Sequence, residues 1–234
     1  MRLEEYRFTD YYHQFITIEA DELTDQLKDT FDVHDDDCYA LCSSYCARDG
    51  LLEFNVLSIG PDWSTCTRGL ENKEMLGYFT IDQVFEKEAR IVDPDFQMIA
   101  KNAPFLGEMD SGFDEDFLKT RLDPRLDLLR DAAYPDIVLA GILIDQTIQE
   151  FDVRIIGVKG PFLVTSMEDE PETDIGIHMD EPLYTLPYIY DGECHLYAMY
   201  AGDNLSSDEI QERDRLINEM NRYGITFHGI RLRN

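Results

Sequence analysis

Between residues 134 and 201 the chain is a succession of short β-branched and aromatic runs separated by Gly, Pro and Asp, and this stretch limits the fold more than any other. Ile137-Val138-Leu139-Ala140-Gly141-Ile142-Leu143-Ile144 is too continuously apolar for a half-exposed element. Phe151 to Val158 follows and, past Lys159-Gly160-Pro161, Phe162 to Met167. Leu183 to Tyr190 and His195 to Ala201 complete the set, joined through Asp191-Gly192-Glu193. Runs of this length and composition are strands joined by turns. A sheet made from them has an apolar face to cover, and the rest of the chain is expected to supply helices.

A second strand pair is expected where Cys38 to Ala47 and Leu51 to Ile59 flank Asp49-Gly50, since both turn residues tolerate positive φ. Residues 2–15, with Tyr6, Phe8, Tyr11, Tyr12 and Phe15, read as an aromatic arm packed on something larger. Leu23, Leu27 and Phe31 recur at helical spacing and predict a helix near 19–31. A strand near 78–81 leads into a helical region near 82–102. Asp123 as cap and Pro124 as first residue open a helix near 123–133. Ser206-Ser207-Asp208-Glu209 is a capping-box pattern for a helix near 206–223, with Gly224 as its stop and a last strand at 225–232. The fold class expected is α+β. Its mainly antiparallel sheet has strands near 38–59, 136–167, 183–201 and 225–232, covered by helices near 19–31, 82–102, 123–133 and 206–223. A chain of 234 residues fits one domain, and any division falls in residues 104–121, which are rich in Gly, Asp and Phe.

Charge narrows the partners. The chain carries 49 acidic and 20 basic residues, a formal net charge of −29. Nucleic acid and anionic membranes carry the same sign, so neither is an expected direct partner. A basic protein is, and the acidic stretch Glu168, Asp169, Glu170, Glu172 and Asp174 is the surface expected to meet it. A solvated acidic surface serving only solubility is the competing explanation of the same charge. Five cysteines, no apolar run long enough to span a bilayer, and a polar Met1-Arg2-Leu3-Glu4-Glu5 lead suggest a cytoplasmic protein with reduced thiols.

Three constellations could carry chemistry. Cys38, Cys42 and Cys46 share one side of a strand, but neighbours in that series are about 13 Å apart at roughly 3.3 Å per residue, too far for one metal. They are expected to pack as small apolar groups. His34-Asp35-Asp36-Asp37 reads as an acidic turn. His178 and Asp180 project to one side of an extended backbone, and with His195 they would approach a two-His, one-carboxylate metal set. Phosphate-binding Gly-rich loops, H-E-x-x-H and G-x-S-x-G are absent.

The function expected is therefore a non-enzymatic intracellular acidic protein, inhibitor-like or a charge mimic, that binds a basic protein and needs no cofactor. The alternative is a metal-dependent enzyme holding a divalent ion at His178, Asp180 and His195. A third reading is a small-molecule module lined by Tyr184, Tyr188, Tyr190, Tyr197 and Tyr200. Oligomeric state is not encoded in any of these features.

Overall fold

Asp49 and Gly50 make the turn that their types predict. Gly50 has φ +89° and its N–H donates to Ala47 O at 2.9 Å, while the Asp49 carboxylate accepts from Leu51 N at 3.1 Å. On either side the chain is extended as β2 (Tyr39–Cys46) and β3 (Leu52–Gly60), paired antiparallel from Tyr39↔Gly60 to Cys46↔Leu52. In this computed structural model the description covers residues 1–66, 68–69, 77–93, 112–144, 147–179, 181–190 and 193–199, with 211, 215, 218 and 222.

Backbone contacts gather into two units. The first comprises Met1–Phe113, Arg121–Asp127 and Ala132–Pro135. Its sheet has the order β4-β3-β2-β1-β6, in which β1 is Phe15–Glu19, β4 Arg68–Gly69 and β6 Ala89–Val92; β5 (Tyr78–Thr80) also pairs with β3. Alternation along β3 sends Leu52, Phe54 and Val56 to one face, where they meet Ile16, Ile18, Cys42, Cys46 and Phe79 in the core. The aromatic arm covers that face. A short helix, α1 (Phe8–Tyr11), delivers Phe8, Tyr11 and Tyr12 to the core, with Phe8 and Tyr12 stacked at 4.8 Å. Arg121, fully buried, donates to Tyr12 Oη at 3.2 Å and lies 4.6 Å over the Phe113 ring.

The second unit comprises Asp114–Thr120, Leu128–Asp131 and Asp136–Asn234. Its strands are β7 (Ile137–Ile144), β8 (Thr147–Lys159), β9 (Phe162–Met167), β10 (Leu183–Tyr190) and β11 (Glu193–Met199), and they close a barrel in the order β10-β11-β7-β8-β9. Each strand pairs antiparallel with the next along the chain. An up-and-down meander with an odd number of strands must close with first and last running the same way, and β11 is indeed parallel to β7, Ala198 opposite Ile142. Leu163, Thr165 and Met167 of β9 and Leu183 and Thr185 of β10 point inward with Val153 and Ile155, filling a barrel too small for a channel.

Strands near 38–59, 136–167 and 183–201 are present as expected, and the sheets are mostly antiparallel. The helical cover differs. Instead of a helix at 19–31, Glu19 ends β1 and only Thr24–Leu27 winds, as a 3₁₀ turn. Leu27 and Phe31 are still buried, but Asp and Thr at 24, 25, 29, 30 and 32 favour turns over a helix interior. At 82–102 the helix is the single turn α2 (Ile81–Val84), after which Ala89–Val92 is drawn into the sheet beside β1; residues 94–102 lie outside the described part. No helix forms at 123–133. Asp123 accepts from Arg125 N, and the chain then spends its backbone on β7: Asp131 N donates to Ile137 O and Leu139 N to Leu129 O. The helix of this region is α3 (Glu115–Arg121), inside the segment read as a boundary loop. Of 206–223, residues 211, 215, 218 and 222 are described and are helical; the strand at 225–232 lies outside the described residues.

Candidate functional site

The acidic stretch leaves β9 at Met167, whose side chain is buried. Glu168 N continues the ladder to Asp152 O at 3.0 Å. Its carboxylate then takes two parallel bonds from Arg154 of β8, Nε to Oε2 at 2.9 Å and Nη2 to Oε1 at 2.7 Å. That fork geometry is the strongest form of a side-chain ion pair, and both groups are about a third exposed. The first acid of the stretch is therefore an anchor.

Further along, Ile175 and Ile177 turn into the protein with 5% and 2% exposure, and they pin the far end of the loop. Gly176 between them has φ +74°, a left-handed backbone that glycine adopts without a Cβ clash, and its N–H donates to the Asp174 carboxylate at 2.8 Å. Between these two anchors Glu170 reaches across the loop. Its Oε1 accepts from His178 Nδ1 at 2.6 Å and its Oε2 from Met179 N at 3.0 Å. The hydrogen bond with His178 holds the Glu170 carboxyl below the usual range, and the same bond raises the His178 imidazole above its ordinary value. Asp169, Glu170, Glu172 and Asp174 are exposed. An acidic loop fixed at both ends is the result.

The other sequence candidates fall as follows. His178 is the partner of Glu170, and His195 sits on β11 opposite Tyr188 with its ring 5.8 Å from Tyr197 at an interplanar angle of 16°. Asp180 lies outside the described residues, and among those described no group of three or more His, Cys, Asp or Glu side chains is placed to hold a metal ion. His34 and Asp37 form a turn, His34 N donating to Asp37 Oδ2 at 2.8 Å, with Asp35 and Asp36 exposed. Cys42 and Cys46 are fully buried in the first unit's core. Burial pushes the Cys42 thiol up and the Cys66 thiol to about 12, so neither is a ready nucleophile. Of the tyrosines, Tyr184 packs against Phe162. Tyr197 covers Gly141, while Tyr200 and the side chains of Tyr188 and Tyr190 lie outside the described part.

Sequence reading does not pair Glu170 with His178 or Glu168 with Arg154. The signal for the second is present in the chain: an Arg on one arm of a hairpin and a Glu just past the end of the other. The first requires knowing that the chain doubles back over eight residues.

Family models, curated proteins and solved structures, compared with this chain, give no match.

Proposed function

We propose that the protein is a non-enzymatic interaction protein whose acidic loop, residues 168–174, receives a basic protein partner. The observation that carries this reading is the fixing of that loop. Arg154 at one end, Ile175 and Ile177 at the other, and the Glu170 carboxylate across the middle hold exposed acids on an ordered backbone. A surface ordered before contact loses less conformational entropy on binding than a floppy acidic tail. A net charge of −29 adds long-range steering, which speeds encounter with a cationic surface and weakens with salt. A reducing compartment, in which cysteines stay as thiols, and a cytoplasmic location belong to the same reading.

The test is a binding titration against an arginine-rich basic protein at low and at physiological ionic strength. Asp169→Asn with Glu172→Gln removes two exposed charges and leaves both anchors in place. The expected result is saturable binding that falls with salt, and a several-fold slower association in the double variant. Equal association rates for variant and wild type would reject the loop as the contact surface.

A further inference from the structure

Leu52, Phe54 and Val56 place their side chains in the first unit's core, so alternation puts Glu53 on the opposite face of the sheet. Residues paired across a ladder point the same way, and two rungs therefore share that face. Tyr45↔Glu53 and Glu53↔Thr80 make the first, Ser43↔Asn55 and Asn55↔Tyr78 the second. Directly opposed side chains have Cβ atoms about 5 Å apart and diagonal ones about 7–8 Å, still within reach of an aromatic ring. Tyr45 is thus beside Glu53, and Tyr78 is diagonal to it on the other flank.

This register sets a carboxylate between two phenols. The Tyr45 hydroxyl donates to Glu53 Oε2. Burial, then that bond and the Glu53 charge, keep the hydroxyl protonated far above its ordinary value, so it remains a donor. The bond orients the carboxylate while using one of its roughly four acceptor sites. Tyr78 is 50% exposed. A lone exposed ring carries no meaning by itself. Beside an oriented carboxylate it makes half of a cation site, because a ring face is electronegative and the carboxylate supplies a full charge. Shape selects the cation. A planar guanidinium offers parallel N–H groups to a carboxylate and lies flat on a ring, which a compact ammonium cannot do. Asp49 on the turn of the same hairpin and a net charge of −29 add attraction for a positive side chain.

We propose that Tyr45, Glu53 and Tyr78 form a docking site for an arginine side chain of a basic protein. The guanidinium pairs with the Glu53 carboxylate, held in place by Tyr45, and lies against the Tyr78 ring. This site belongs to the first unit and the acidic loop to the second, so either can fail without the other.

The probe is a blocked Gly-Arg-Gly peptide, titrated into the full chain at fixed ionic strength and followed by NMR. Saturable shifts are expected at Tyr45, Glu53 and Tyr78, and a Gly-Lys-Gly peptide of the same charge should bind about two- to fivefold more weakly. Tyr78→Leu removes the ring but keeps an apolar side chain, and should weaken the arginine peptide by a similar factor. Tyr78→Phe keeps the ring and should not. Glu53→Gln should abolish saturation at these residues; if that variant does not fold, the two Tyr78 variants decide, since that side chain is half exposed. The Asp169→Asn, Glu172→Gln variant should leave all three shifts intact, and their loss there would assign the peptide to the acidic loop instead. Equal affinity for the two peptides, or an arginine affinity that Tyr78→Leu leaves unchanged, also overturns the proposal.

Discussion

At Gly60, the last residue of β3, an added Cβ would lie 2.3 Å from Thr65 O and 2.8 Å from Cys66 Cα, both backbone atoms that no rotamer can move. Gly60→Ala is expected to cost about 1–3 kcal/mol or more, read as a lower urea midpoint at unchanged slope. Gly157 is the control: its Cβ would meet only Val164 Cβ at 4.0 Å, so Gly157→Ala should be neutral or slightly stabilising. The Glu170–His178 pair makes a prediction about pH. Because the His178 value is raised, its contribution is complete below the free imidazole value of about 6.5 and fades as pH climbs through the raised value. Because the Glu170 value is lowered, its contribution is complete above the free carboxyl value of about 4.3 and is lost as pH falls through the lowered value. The clasp is thus fully made between about pH 4.3 and 6.5 and, on the basic side, loosens only as pH climbs through the raised His178 value. An NMR titration of the His178 ring should give a value above the ordinary one, and Glu170→Gln should bring it back. A wild-type ring titrating at or below the ordinary value would show the clasp does not form in solution.

Among the elements, the seam between β7 and its neighbours decides whether the barrel closes. Gly141 pairs with Tyr197 across the parallel contact and with Glu150 across the antiparallel one. A Cβ there would press 2.7 Å from Tyr197 Cε1 and 2.8 Å from Ile148 Cγ2, so two side chains converge on the space that glycine leaves. Gly141→Ala should destabilise by about 1–3 kcal/mol, and in a Tyr197→Ala background it should cost less, because the two changes share one contact. A urea-unfolding cycle of the four proteins measures this, and strict additivity would mean the ring moves aside freely. The elements also show where pattern reading succeeds. The hairpin at Asp49-Gly50 and the five barrel strands are legible because their signals are local: turn residues of known φ preference and β-branched runs between them. The helix expected at 19–31 does not form, because apolar spacing at i, i+4 is also produced by buried residues in successive turns. The one expected from Asp123 and Pro124 at 123–133 does not form because Asp123 instead accepts from Arg125 N in a tight turn. Leu126 is 1% exposed and Leu128 is 74% exposed on a segment that is not helical at all.

Charge dominates at the scale of the whole molecule. Self-repulsion at −29 opposes compaction, and salt screens it over about 10 Å at 0.1 M. The melting temperature should therefore climb with added KCl at constant pH. A flat response would mean that local pairs such as Arg154 with Glu168, or Lys119 with Glu115 and Asp116, already balance the field around them. The same titration in the presence of an arginine-rich partner should run the other way for affinity. Stability and binding would then show opposite salt dependences, as one acidic surface requires.

The strands between residues 137 and 199, the tight hairpin at residues 49–50, the burial of Cys42 and Cys46, and the acidic character of the exposed loop follow from local patterns in the chain. Each depends on near neighbours along the chain, on side-chain alternation or on simple counting. Local patterns do not foretell that the later strands close on themselves with a parallel seam, or that Ala89–Val92 pairs with β1 where a helix is expected. Nor do they foretell that Glu168 and Glu170 are engaged by Arg154 and His178. These outcomes turn on contacts between residues that the chain must fold back to bring together, whose energies are comparable with local propensities and invisible until it has done so.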